Sequence, residues 1–252
     1  MKVIKKGEGE PELVVVGSVH GDEPAGKKAI EKILQEDIEF RKPVKFIIAN
    51  EKALEEGERY LEADLNSSFP GDPDSELHEE RLAAEITEHV EDRIVVDLHT
   101  TRSTEDAFVN IKNLEEETKE LVKASGVENS ACFPSESGVL IEMASSAILV
   151  ETGPQGTENA AKKSFEVLKN FLSCRGFIEG ECSRSDPTFF RYFETVEGDW
   201  EFQAENFQKV GKGEVYAKRG DEELVAEEDF YPVLMSTNGY EGKLGYKAHK
   251  AD

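Results

Sequence analysis

The chain has 252 residues, with 54 acidic side chains against 30 basic ones and a net charge of −24 at pH 7. A field of that sign repels polyanions, which excludes DNA and RNA as partners. The length fits one large domain, or a main domain with a smaller appendage, and the longest apolar runs are of strand length, too short for a membrane-spanning helix.

Met1–Lys6 lacks the apolar centre of a secretory signal. The three cysteines, Cys132, Cys174 and Cys182, have no metal-type spacing, and their odd number argues against a disulfide framework. These features read as a cytoplasmic protein in a reducing compartment. Acidic excess is also what salt-adapted proteins carry, since salt screens the self-repulsion, so a halophilic source is an expectation.

Leu13–Val16 is an apolar run that reads as a buried parallel strand. Pro24–Leu34 reads as a helix, with Asp22 and Glu23 at its positive end. Val44–Ala49 is a second strand. Asp74 and Ser75 cap a helix through about His89, with Leu77, Leu82, Ile86 and Val90 on one face. Ile94–Leu98 and Ala107–Val109 are strands, Leu114–Ser125 is a helix stopped by Gly126, Ala147–Val150 is a strand, and Thr157–Phe171 is a helix. This alternation predicts an α/β fold with a mostly parallel or mixed sheet flanked by helices. After Cys182 the chain turns to short alternating runs, glycine turns and aromatics, which predicts a smaller β-rich domain over residues 183–252 beside an α/β domain over residues 1–182. Trp200 and Phe189–Phe193 are expected in the core of that small domain.

Polar residues that such a fold does not require gather where strands end, the usual place for ligands in these sheets. The turn Gly17-Ser18-Val19-His20-Gly21-Asp22-Glu23 puts an imidazole and a carboxylate three residues apart. His99 ends the strand in Val95-Val96-Asp97-Leu98-His99. Two nitrogens, one carboxylate and an open fourth position describe a catalytic zinc site. Arg59-Tyr60-Leu61-Glu62-Ala63-Asp64-Leu65-Asn66 and Val150-Glu151-Thr152-Gly153-Pro154-Gln155-Gly156 complete the set. Asp97 faces the same way as His99; it either orients that histidine or holds loop amides. Gly153, Pro154 and Gly156 shape the turn after Glu151. His78, His89 and His249 read as surface histidines, and acidic runs such as Glu115–Glu117 as solvated faces.

In this order, H-G-D-E-P, R-Y-x-x-x-D-L-N, D-L-H-T-T and V-E-T-G-P-Q-G resemble the aspartoacylase and succinylglutamate desuccinylase family, a branch of the zinc carboxypeptidase superfamily. The resemblance runs from the first strand to Tyr240 and includes Asn206-Phe207-Gln208 and Tyr231-Pro232-Val233. It implies a zinc carboxypeptidase-like fold and zinc-dependent hydrolysis of the amide bond of an N-acyl amino acid, with one zinc per chain and a metal-activated water as nucleophile. His20, Glu23 and His99 match the zinc ligands, Glu151 the general base and acid, and Arg59 the residue that stabilises the oxyanion. Asn66 and Tyr240 match substrate binders. The implied partner is a small N-acyl amino acid, with no membrane, and family members suggest a homodimer.

Two positions depart from the family. Ser67 follows Asn66 where an arginine is usual, and Ile141 stands where aspartoacylase has another substrate-binding arginine. Both losses weaken the case for a dianionic substrate such as N-acetylaspartate, unless Arg102 replaces one of them rather than facing solvent. Two other functions fit parts of the pattern: a metallocarboxypeptidase, weakened by the missing carboxylate clamp, and a zinc-retaining binding protein, weakened by the presence of Glu151 and Arg59.

If the acidic excess is a salt adaptation, the unfolding midpoint rises as KCl is added. A flat or falling midpoint in a KCl titration removes that reading.

Overall fold

Strands rich in apolar residues bury both faces, and such strands form the middle of the main sheet. In the computed structural model, which describes residues 1–133, 138–237, 239 and 241–251, β1 (Lys2–Lys6), β2 (Leu13–Gly17), α1 (Ala25–Gln35), β3 (Val44–Ile48), α2 (Glu51–Glu56) and α3 (His78–Val90) come first. Then follow β4 (Ile94–Thr101), β5 (Phe108–Ile111), α4 (Glu116–Ser125), β6 (Asn129–Cys132), β7 (Ser146–Pro154) and α5 (Glu158–Cys174). The C-terminal part supplies β8 (Thr188–Glu197), β9 (Glu201–Phe202), β10 (Val215–Arg219), β11 (Glu222–Val225), β12 (Tyr231–Val233) and β13 (Lys243–Lys250).

Ten strands form one sheet in the order β1-β3-β2-β4-β7-β5-β6-β8-β13-β12. The centre β3-β2-β4-β7 is parallel, as expected. β5 runs antiparallel to β7, and β1, β12 and β13 pair antiparallel at the two ends, so the sheet is mixed. One face carries α1, α4 and α5 through Ile30, Ile33, Leu121, Leu168 and Phe171; the other carries α3 through Leu82, Ala83, Ile86 and Val90. No helix among the described residues is long and apolar enough to cross a membrane.

The C-terminal segment does not stand wholly apart. β8 pairs parallel with β6, and β13 and β12 extend the main sheet beyond it, while β9–β11 form a separate three-stranded sheet. The aromatic run divides accordingly. Phe189 packs against the main core, Phe190 lies with Phe108 and Phe207, and Phe193 joins Trp200 in the cluster around Tyr216 and Phe230.

Two expectations need correction. α3 begins at His78, not at Asp74. Asp72 accepts the amide of Asp74, and the Ser75 hydroxyl accepts that of Leu77, so these short side chains close a turn ahead of the helix. Cys174 and Cys182 are joined in a disulfide with Cα atoms 4.7 Å apart, tying the end of α5 to the segment before β8. An odd cysteine count forbids complete pairing but not one bridge, and Cys132 remains free and buried. The cysteines therefore lend no support to a reducing compartment.

Close packing fixes the strand end that begins the site. A Cβ on Gly26 of α1 would lie 2.9 Å from both the Gly17 Cα and the Leu98 carbonyl oxygen, so the helix sits on β2 and β4 only as glycine. Gly26→Ala is expected to cost about 1–3 kcal/mol, read as a lower midpoint in urea unfolding.

Candidate active site

The turn after β2 carries the first two candidate ligands. Its Gly21 lies so close to α2 that a Cβ would sit 2.2 Å from the Ala53 carbonyl carbon, and its amide donates to the Arg59 carbonyl at 3.0 Å. The His20 and Arg59 segments are thereby locked together. Ser18, in the left-handed region at φ 57°, bends the turn, and its hydroxyl donates to the Glu23 carbonyl at 3.2 Å.

β4 brings in the third ligand. His20, Glu23 and His99 are all buried, and one ligand atom from each lies within 4.8 Å of the others. His20 Nδ1 is 2.8 Å from Glu23 Oε1, and His99 Nδ1 is 3.5 Å from Glu23 Oε2. The second Glu23 oxygen also accepts the Thr100 amide at 2.7 Å. Each histidine turns its other nitrogen to an aspartate: His99 Nε2 to Asp97 at 2.9 Å, and His20 Nε2 to Asp64 at 3.1 Å. With Nε2–H donated outward, both Nδ1 lone pairs face the centre, the arrangement a metal-binding histidine pair requires.

The surrounding carboxylates make the centre attract positive charge, whether as a proton on an imidazole or as a cation. Burial opposes the charged form of Glu23, but hydrogen bonds and charge from His20 and His99 hold it well below the carboxylate range. Burial likewise opposes a charged His99, but Asp97 and Glu23 raise it well above the usual histidine value. The cluster is an anionic cradle for a cation, and two imidazoles with one carboxylate fit zinc.

Glu151 enters from β7, opposite His99 in the strand register. It is 9% exposed, and its Oε2 has no hydrogen-bond partner among the described residues. Burial pushes it up to about 8, opposed by His99 and Arg59 and reinforced by the Glu23 and Asp97 carboxylates. Arg59 stands at the mouth, its Nε donating to Asp64 at 3.0 Å and its Nη1 3.4 Å from Glu23. Asn66 lines the same cavity of about 180 Å³, its Oδ1 accepting the Leu140 amide at 3.2 Å.

The structure thus brings together His20, Glu23, His99, Glu151, Arg59 and Asn66. Arg102 is outside that cavity's lining but lines an adjoining groove that shares Glu23, Arg59 and Thr100 with it, half-exposed, with Nε donating to Gln155 at 2.6 Å and Nη2 3.6 Å from Asp22. Tyr240 lies outside the described residues. Asn206 fastens the C-terminal segment to the loop after β4 by donating to the Ser103 and Met235 carbonyls, both at 2.8 Å.

Two site residues escaped the sequence reading. Asp64 was in view inside R-Y-x-x-x-D-L-N without a role; burial would raise its carboxyl, but His20 and Arg59 hold it well below the usual range. Glu79, without a role in the sequence reading, shares the face of Leu82, Ala83 and Ile86 on α3 and is fully buried. It accepts the amides of Leu61, Glu62 and Ala63 at 2.8, 3.1 and 3.2 Å, and the Asn50 side chain at 3.1 Å. A single carboxylate thereby shapes the loop between Arg59 and Asp64. The helical spacing was the signal that pointed to it.

Fold and site together define an α/β protein with a buried His–Glu–His group that could hold a metal ion and a proton-holding carboxyl at its strand ends. Residues 9–174 match the model of the succinylglutamate desuccinylase/aspartoacylase catalytic domain, and the chain belongs to that family. It is 30% identical over 208 residues to an N-alpha-acetyl-L-2,4-diaminobutyric acid deacetylase of Halomonas elongata, covering 73% of this chain and 60% of that protein. It is 32% identical over 102 residues to a probable aspartoacylase of Acaryochloris marina, covering 36% of this chain and 35% of that one. Both matches span less than two thirds of the relative's length. In fold it is similar to murine aminoacylase 3, with a TM-score of 0.77 at 18% identity, over 97% of each chain.

Hydrogen bonds from the Leu61, Ala63 and Glu62 amides and the Asn50 side chain outweigh burial and hold Glu79 below the usual carboxylate range. A lowered pKa adds stability above the unfolded value of about 4.3 and loses it as pH falls through the folded value. Glu79→Gln is therefore expected to cost about 1–3 kcal/mol at pH 7, with the gap from wild type narrowing in urea unfolding below about pH 4. A gap independent of pH contradicts the role.

Proposed function

We propose that this chain is a zinc-dependent deacylase that hydrolyses the amide bond of an N-acyl amino acid. The observation that carries the reading is Glu151, buried, raised toward neutral pH, and in strand register beside the His20–Glu23–His99 cradle. Held by these three residues, zinc supplies a Lewis acid that polarises water and the scissile carbonyl.

The chain's own groups do the rest. Glu151 takes a proton from the attacking water at its partnerless Oε2, because a poorly solvated carboxylate holds a proton well, and returns it to the departing amine nitrogen. Arg59 places its guanidinium where negative charge develops on the carbonyl oxygen, a contribution of about 3–4 kcal/mol for comparable donors. Asp64 fixes both Arg59 and His20, so oxyanion partner and metal ligand keep one geometry. Asn66 lines the substrate cavity. In this reading residues 1–182 carry the ligands and the base, and residues 183–252 close the cavity with Leu234 and Tyr246.

Metal analysis is expected to find about one zinc per chain, as three protein ligands imply. Glu151→Gln keeps that zinc and loses about 10²–10⁴-fold in kcat. An unchanged kcat assigns the base elsewhere, and full activity in metal-free protein overturns the mechanism.

A further inference from the structure

The cavity is electrically lopsided. Part of its wall is the candidate metal cradle and Arg59. Besides Thr100, Glu151 and Tyr246, whose hydroxyl accepts from Lys243 at 2.6 Å, the remaining wall presents Asn66, Asn110, Glu142 and apolar side chains such as Ile141 and Leu149. Beyond the cradle histidines, Arg59 is the one cation among the described residues of the wall, and Asp64 and Glu23 already engage it. No lysine, arginine or histidine among the described residues pairs with Glu142. Lys112, two residues on from Asn110, is taken up by the Ala144 carbonyl at 2.8 Å. Asn110 is 9% exposed, and its Oδ1 is buried without a hydrogen-bond partner among the described residues.

A carboxylate and an orphaned amide oxygen are both acceptors. A ligand that satisfies them brings hydrogen-bond donors, and one that brings a second carboxylate leaves like charges facing each other across a confined space. The apolar part of the wall suits a methylene stem that carries a charged end. The net charge of −24 favours approach of a cation over an anion.

We infer that the cavity selects N-acyl amino acids whose side chain ends in an ammonium group, with Glu142 as its charge partner and Asn110 Oδ1 as a second acceptor. This rests on the deacylase reading, which supplies the bond that is cut; the side-chain preference is a separate property of the wall. Glu142 lies outside the metal cradle, on the short turn Leu140–Glu142 between β6 and β7.

The zinc-loaded enzyme is assayed on Nα-acetyl-ornithine, N-acetyl-norvaline, which has a side chain of equal carbon count without the charge, and N-acetylaspartate. The expected order of kcat/KM is ornithine, norvaline, aspartate, with about tenfold or more between the first two, the range of one charged hydrogen bond. Glu142→Gln is expected to collapse the ornithine-to-norvaline ratio about tenfold or more, and Glu142→Arg to invert the preference toward aspartate. A second reading uses no turnover: in the Glu151→Gln protein, calorimetric affinity for Nα-acetyl-ornithine falls when Glu142→Gln is added. Faster cleavage of N-acetylaspartate, or a ratio and affinity indifferent to Glu142, overturns the inference while leaving the deacylase reading intact. Failure to cleave any of the three, or the N-succinyl and N-formyl forms, with Nα-acetyl-ornithine still bound through Glu142, overturns the deacylase reading alone.

Discussion

Everything in the site depends on where two histidine protons go. Asp64 and Asp97 each take the Nε2 side of one imidazole, and that choice leaves both Nδ1 atoms turned toward Glu23. Neither aspartate touches the centre itself. Without them the rings would be free to rotate or to exchange tautomers, and a cradle of two neutral nitrogens and one carboxylate would exist only part of the time. The anchoring is redundant in space but not in sequence. Asp97 comes from the same strand as its histidine, whereas Asp64 reaches His20 from a loop 44 residues on and also holds Arg59.

That loop has no regular structure of its own beyond a short turn at Leu65–Ser67, and its order is borrowed. Glu79 collects three consecutive amides from a helix that otherwise serves the apolar core. Gly21 ties the loop's first residue to the His20 turn. Three kinds of contact — ion pair, buried carboxylate and glycine close approach — therefore converge on the stretch from Arg59 to Asp64. Mechanical precision at the site comes from the neighbours of that stretch rather than from the stretch itself.

The parts of this protein that were legible in sequence are those governed by local rules. Leu13–Val16, Val44–Ala49 and Ala147–Val150 show their double-sided burial in composition alone, and the motifs at their ends, read with the family resemblance, placed His20, Glu23, His99 and Glu151 in one site. What escaped depends on distant partners. The antiparallel entry of β5 leaves no mark in a four-residue strand. The Cys174–Cys182 bridge follows from a chain reversal after α5 that residue counts do not reveal. The start of α3 moved because Asp72 and Ser75 spend their oxygens on turn amides, a competition that short polar side chains decide by context. Glu79 shares the helical spacing of the apolar face of α3, but its partners, three backbone amides and the Asn50 side chain, lie on distant segments that no local pattern marks.

The main sheet is completed by strands from the end of the chain, and this has a consequence for inheritance. Leu234 and Tyr246 line the same cavity as Glu151 yet come from a segment that joins the sheet only through β8. The wall residues Ile141 and Glu142 likewise sit on a turn outside the strands that carry the cradle. Changes in these peripheral pieces alter what the cavity admits without disturbing the register of β2, β4 and β7. Cavity wall and buried centre are therefore separable in inheritance, because they lie on different parts of the chain.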